Sequence, residues 1–228
     1  MGELKLCQIG CLINGCGMAE FVDFDEEETI GNAYMPYNPN IYDVNWDTYE
    51  AELTPVSFSS GIEMQNLVIP AYIKLAGESN WLEVKRIGQY SFNKVSMLKS
   101  IKIPETVETI GYGAFLNCSN LETVNIPQGL TEIGGRAFEG TKLKGTIEIP
   151  ENCQYISEHA FSNFNSTEEV IIRLKGNAII QMESNACDVD KIYLEKYESI
   201  PEDWHEEWMG WASKIYNKNS VLIYSWDS

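Results

Sequence analysis

The side chains of this sequence that could do chemistry are two histidines, six cysteines and a run of acids. His205-Glu206 begins like the helix of a zinc hydrolase, which needs a second histidine four positions after the first so that both imidazoles share one face. Met209 stands there instead. Neither His159 nor His205 has a partner at a spacing that would make it a general base, and both read as structural. Gly10 and Gly15 have the spacing of a phosphate loop, but Cys16 and Gly17 follow where lysine and a hydroxyl residue belong. No GxSxG elbow occurs. Cys7, Cys11 and Cys16 lie four and five positions apart, which is not CxxC, and Cys118, Cys153 and Cys187 are scattered. A zinc site would have to gather soft ligands from distant places, so the six read as reduced structural thiols. Asp23, Asp25, Glu26, Glu27 and Glu28 lack the alternation of a calcium loop and read as a solvated acidic segment. No enzymatic activity, no metal and no cofactor is expected.

What remains is surface, and its charge is uneven. The net charge is -18, yet residues 1–60 hold eleven acids and one base, while residues 87–164 hold eight acids and six bases. A nucleic-acid binder needs a basic stripe to neutralise phosphates, and none is present, so neither direct nucleic-acid binding nor membrane binding is expected. The charge favours a protein partner with a basic surface. Tyr34, Tyr37, Tyr42, Trp46, Tyr49 and Phe58 are interleaved with Asp43, Asp47, Glu50 and Glu52. Aromatics with acids have the composition of interface anchors with a charged rim, and equally of a cap over the end of a repeat stack.

The element that must position these residues is a repeat. Phe92, Phe115, Phe138 and Phe161 recur every 23 residues, as do Ile87, Ile110, Ile133 and Ile156, then Ile103, Ile126, Ile149 and Ile172, with Pro104, Pro127 and Pro150. Such a fixed step is the signature of a solenoid, in which one unit cannot bury its apolar side without its neighbours. Each unit has an alternating segment such as Leu98-Lys99-Ser100-Ile101-Lys102-Ile103, a strand that the following proline stops. Gly111 and Gly134 then allow a tight turn into a short helical piece carrying Ala-Phe. The third unit shifts, since Leu143 comes one residue early and Gly145 restores the register. Between Ile69 and Ile103 lie 34 positions, so an insert of about 11 residues that includes Leu75 to Trp81 maps to a loop on one face. Residues between the apolar columns face outward, which assigns Ser100, Lys102, Thr123, Asn125, Thr146 and Glu148 to an exposed sheet face.

These columns, IGxxAF…L..V.IP from Ile87 to Ile172, resemble the BspA-like class of leucine-rich repeats of bacteria and protists. The stretch from Lys191 to Trp208, with Pro201, Trp204 and Trp208, looks like the cap that closes such repeats. The resemblance implies an α/β leucine-rich-repeat solenoid with short parallel strands and short helical turns, flanked by N- and C-terminal caps. The expected division is an acidic, aromatic-rich region at 1–61, repeats at 62–189 and a C-terminal cap at 190–228. It also implies protein binding or adhesion without catalysis, often at a cell surface. The first seventeen residues have one lysine offset by one glutamate and an apolar run broken by Gln8, unlike an export signal, so a cytoplasmic location is expected. Three roles follow: a protein-binding module using the acidic region and the sheet face; a phage-encoded inhibitor whose acids imitate nucleic acid in the basic groove of a nucleic-acid-handling enzyme; and a surface adhesin or structural protein. The site residues common to the first two are Asp23, Asp25, Glu26, Glu27, Glu28, Tyr42, Asp43, Trp46, Asp47 and Tyr49, with the sheet-face residues added for the first.

Overall fold

In the computed structural model, residues 33–34, 42–55, 65–73, 79–176, 181–202, 204, 208, 212 and 214–225 are described. The four phenylalanines stand in one interior row. Neighbouring ring centroids are 5.2 Å apart, with planes 3°, 7° and 13° from parallel, and all four rings are buried. The 23-residue step thus becomes a stack of rungs, each covering the apolar side of the last.

The strands are short because each rung turns back on itself. In chain order they are β1 (Ala33–Tyr34), β2 (Tyr42–Asn45), β3 (Glu50–Leu53), β4 (Asn66–Val68), β5 (Tyr72–Ile73) and β6 (Leu82–Ile87). Then follow β7 (Ser100–Lys102), β8 (Thr109–Ile110), β9 (Thr123–Val124), β10 (Glu132–Ile133), β11 (Gly145–Ile149) and β12 (Tyr155–Ile156). The last are β13 (Val170–Leu174), β14 (Gln181–Met182), β15 (Lys191–Leu194), β16 (Lys214–Tyr216) and β17 (Leu222–Ser225). One wall is continuous, in the order β14-β12-β10-β8-β6-β3-β2, with β5 beside β6. Its parallel register aligns Ile87, Ile110, Ile133, Ile156 and Met182. The opposite wall is two sheets, β1-β4-β7-β9 and β11-β13-β15-β16-β17. It breaks at the shifted third unit, where Gly145 takes a φ of +73°. The whole is a β-solenoid of about five turns.

The expectation of an α/β fold with short helical turns is corrected: among the described residues there is no helix. The reason lies in where the turn N–H groups go. Those of Tyr90, Phe92 and Lys94 donate to the carbonyls of Tyr112, Ala114 and Leu116 in the next rung, at 2.9, 2.7 and 2.8 Å. Those of Ser91, Asn93 and Val95 donate three residues back, to Gly88, Tyr90 and Phe92. With alternate N–H groups committed to a neighbouring rung, no run of bonds to the fourth residue back can form. Two positions in each rung also adopt positive φ, at Tyr90, Gly113, Arg136 and His159 and at Lys94, Asn117, Gly140 and Asn163. Each left-handed residue ends any helical run after a few residues.

Gly111 and Gly134 have a different role from the one their spacing implied, since neither has a positive φ. A Cβ on Gly134 would lie 2.7 Å from the carbonyl carbon of Gly111, and one on Gly111 would lie 2.8 Å from that of Gly88. The glycines allow rungs to touch backbone to backbone.

Two regions outside the regular units join the same core. Register places Leu53 beside Ile87 and Leu67 beside Ile101, each 34 positions earlier. Ala33 stands beside Leu67 by the same step. Strands β3 and β4 therefore align with β6 and β7 one step later, and in the sequence the pair Ser57-Phe58 precedes Ser91-Phe92 by the same 34 positions. Part of the extra length forms antiparallel pairs, β2 on β3 and β5 on β6. At the other end Trp204, Trp208, Ala212 and Ile215 are buried, the two indoles meeting edge to face at 4.7 Å, and β17 pairs antiparallel with β16.

The buried thiols make the fold sensitive to alkali. Cys118, Cys153 and Cys187 are free and buried, and burial pushes the Cys118 and Cys153 thiols up from 9.0 to about 12. A group with a raised folded pKa keeps its full contribution below the unfolded value and loses it as pH climbs towards the folded one. Stability is therefore expected to fall as pH rises above about 9, read by denaturant midpoints from neutral to alkaline pH. These three thiols are also expected to resist maleimide at neutral pH until the chain is unfolded, as mass spectrometry of labelled peptides would show.

Candidate interaction surface

The hairpin β2–β3 reverses at Trp46, Asp47, Thr48 and Tyr49. The side-chain oxygen of Asn45 accepts from the N–H groups of Asp47 and Thr48 at 3.0 and 3.3 Å, and Tyr49 adopts a φ of +55°. That local bonding presents Trp46 and Tyr49 to solvent, 48% and 45% exposed. Asp43 and Asp47 are exposed beside them. Tyr42 differs, since its side chain is buried in the core and covers the first rung. The acidic run of Asp23, Asp25, Glu26, Glu27 and Glu28 lies outside the described residues, as does His205.

A second strand pair adds to the same place. β5 puts Tyr72 opposite Glu83, and the Glu83 N–H donates to the Tyr49 carbonyl at 3.0 Å. Tyr72 is 38% exposed. Asn45, Glu50, Glu83 and Tyr72 thus form one row across three neighbouring strand pairs, on the outer side of the wall. Among the described residues, two cations nearby are engaged, with Lys85 at 3.3 Å from Glu83 and 2.8 Å from Glu108, and Arg86 at 3.9 Å from Glu50. Spacing and composition do not mark Tyr72 and Glu83 as members of this surface. The signal was the insert of about 11 residues, whose two ends supply them.

The expected sheet face is divided. Ser100, Lys102 and Thr123 belong to the sheet that ends at β9, and Thr146 and Glu148 to the one that begins at β11. The Ser100 hydroxyl lies 2.6 Å from Asn66 Oδ1, and Glu148 is 3.0 Å from Lys175 Nζ. Lys102, Thr123 and Thr146 are exposed. Asn125 is structural. Its amide accepts from the Ile103 N–H and donates to the Ile103 carbonyl, both at 2.7 Å. The side chain continues the ladder where β9 has ended. Asn125→Ala is expected to lower stability by about 1 kcal/mol, from two net hydrogen bonds of modest worth, with the urea midpoint as the readout.

The described residues assemble no reaction centre. His159 is fixed by its backbone, whose N–H donates to the Ser184 carbonyl at 3.3 Å while its carbonyl accepts from the Ser162 hydroxyl at 3.1 Å. Among the described residues no group of three or more histidine, cysteine or acidic side chains could hold a metal. No helix among them is long and apolar enough to cross a membrane.

The parallel walls and the stacked phenylalanine rungs define a repeat protein of the leucine-rich kind. The BspA type leucine rich repeat region matches residues 84–206 in six copies, and the chain belongs to that family. Among solved structures, a leucine-rich repeat protein from T. pallidum is 21% identical, with 67% of each chain covered and a TM-score of 0.53. A leucine-rich cell surface protein from Faecalibacterium prausnitzii is 20% identical over 84% of this chain and 58% of its own, at a TM-score of 0.47. A leucine-rich repeat protein from Bacteroides capillosus is 24% identical over 57% of this chain and 91% of its own, at a TM-score of 0.47. At such identities the T. pallidum likeness shows the fold. No curated protein matches the sequence.

Proposed function

We propose that this chain is a non-enzymatic protein-binding module that engages a partner with a basic surface through its amino-terminal hairpins. The observation that carries this reading is the set of exposed aromatics, Trp46 and Tyr49 in the β2–β3 turn and Tyr72 on β5 opposite Glu83, with Asp43 and Asp47 exposed on the same hairpin. Tryptophan and tyrosine dominate the energy of protein interfaces, and a partner's lysine or arginine gains both from the aromatic faces and from the carboxylates. The exposed sheet residues Lys102, Thr123 and Thr146 supply a second, weaker contact face.

The test is affinity capture from the native host with the full chain, the double variant Trp46→Ala/Tyr49→Ala, and, as a control, Gln128→Ala, an exposed residue outside both faces. A specific partner retained by the wild type and the control is expected to be lost from the double variant, since truncating such an anchor weakens binding by about 30-fold or more. Binding should also fall steeply as salt is raised. Equal retention by all three proteins, or affinity indifferent to salt, would exclude this surface.

A further inference from the structure

We propose that the far end of the same continuous wall holds a pocket for one arginine side chain of the partner. The inference rests on the basic partner proposed above and names the residue type that partner presents. A cavity of about 300 Å³ opens on the wall where β10, β12 and β14 run side by side, lined by Glu132, Tyr155, Ile156, Ser157 and Glu183. Its origin is in the glycine column. The N–H groups of Gly88, Gly111 and Gly134 reach the preceding rung at 2.7 Å, but the bonds of Ser157 and Glu183 in the same column lengthen to 3.0 and 3.1 Å. Side chains occupy what glycine left bare, and the wall opens around them.

The lining is acidic and aromatic. Glu132 on β10 stands in register with Tyr155 on β12, and Glu183 directly follows β14. Glu183 Oε2 accepts from the Glu158 N–H at 3.0 Å, which fixes that carboxylate at the cavity wall. Glu132 is exposed and holds no lysine or arginine among the described residues. Other acids along the repeats do: Glu108 holds Lys85, Glu122 holds Lys142 and Lys144, and Glu195 holds Arg173 and Lys175. Tyr155 is 40% exposed, and its ring meets no other ring among the described residues, whereas Tyr90 packs on Tyr112 and Tyr193 on Tyr216.

A cation entering this cavity gains from two carboxylates and from the tyrosine ring. Two carboxylates are too few to replace the water shell of a metal ion, so the cation is an organic one. Arginine suits the lining better than lysine: its planar, weakly hydrated guanidinium stacks on an aromatic ring while its fork of N–H groups meets the acids. The cavity and the hairpins fit under one partner. β12 lies four strand steps from β3, about 19 Å at the usual strand spacing. An interface of ordinary size covers roughly 800 Å² of each partner, a patch about 30 Å across.

The probe is N-acetyl-arginine methylamide, titrated into the full chain and followed by calorimetry and by the ring resonances of Tyr155. Saturable binding with a Kd on the order of 1–10 mM is expected, the affinity of a single small ionic group. The citrulline analogue, which has the same shape without the charge, is expected not to bind, and the lysine analogue to bind more weakly. Glu132→Gln and Tyr155→Leu, both at exposed side chains, are each expected to weaken binding of the probe about fivefold, with thermal melts confirming that both are folded. Trp46→Ala/Tyr49→Ala is expected to leave it unchanged. A citrulline or lysine analogue that binds as well as arginine, equal affinities for wild type and both pocket variants, or no saturation well above that concentration would each overturn the proposal. The two readings fail separately. If the probe binds here while the hairpin variant still captures the host partner, the hairpin reading falls and the pocket stands. If the hairpin variant loses the partner while the probe ignores Glu132 and Tyr155, only the pocket falls.

Discussion

Phe115→Ala is expected to lower the free energy of unfolding by about 3–5 kcal/mol, the loss usual for a fully buried aromatic cut to a methyl group. The ring has a phenylalanine on either side, at 5.2 Å to both Phe92 and Phe138 and nearly parallel to each. Its removal opens a cavity walled by rungs that cannot collapse inwards, because the backbone bonds from Phe92 to Ala114 and from Phe115 to Ala137 hold their spacing. Phe161 provides the internal comparison. It stacks on Phe138 on one side, while on the other its backbone bridges to Cys187. Phe161→Ala should therefore cost less by roughly 1 kcal/mol, the worth of one aromatic pair beyond its buried area. Guanidinium titrations of the three proteins measure both quantities. A loss below about 1 kcal/mol for Phe115→Ala would mean that the rungs close over the gap, and that the stack is softer than its geometry implies.

Gly134→Val is the second large effect, expected at about 3 kcal/mol, the upper range for overpacking a close contact. The first side-chain carbon alone would meet backbone at 2.7 Å, and two further methyls would follow it. The structure contains its own measure of the strain. The glycine N–H bonds to the preceding rung are 2.7 Å long at Gly88, Gly111 and Gly134, and the equivalent bond lengthens to 3.0 Å at Ser157, where a Cβ is present. Ser157→Ala, which keeps that carbon, should change stability by no more than about 0.5 kcal/mol. Urea titrations of both variants beside the wild type give the answer. If Gly134→Val and Ser157→Ala matched, close contact between rungs would not be what selects glycine in this column.

How much of this was legible in the sequence differs from residue to residue. The Phe92 row and the isoleucine columns could be read from spacing, since burial repeats with the period of the rung, whereas the closing tryptophans were expected only from the family resemblance. The shifted third unit was visible as an early Leu143 and an added Gly145. That this shift divides one wall into two sheets, and with it the expected face of Ser100 to Glu148, was not. The 34-position step that ties Leu53 to Ile87 was present in Ser57-Phe58, but an insert in each of two successive units hid it. Tyr42 looked like its neighbours Trp46 and Tyr49 because composition does not distinguish a strand residue facing inward from two residues at a turn. Asn125 looked like a surface amide because nothing local marks a side chain that will replace a ladder bond.

The sequence by itself determined the period, the identity of the buried columns and the membership of one stack, because side-chain hydrophobicity is a property each residue carries unaided. The tertiary structure alone decided that the connections are turns rather than helices, that the walls divide at Gly145, and that Tyr49 and Tyr72 stand together. Those outcomes depend on which carbonyl each backbone N–H finds, and in a solenoid that carbonyl belongs to another rung, more than twenty residues away and in reach only once the neighbour has folded.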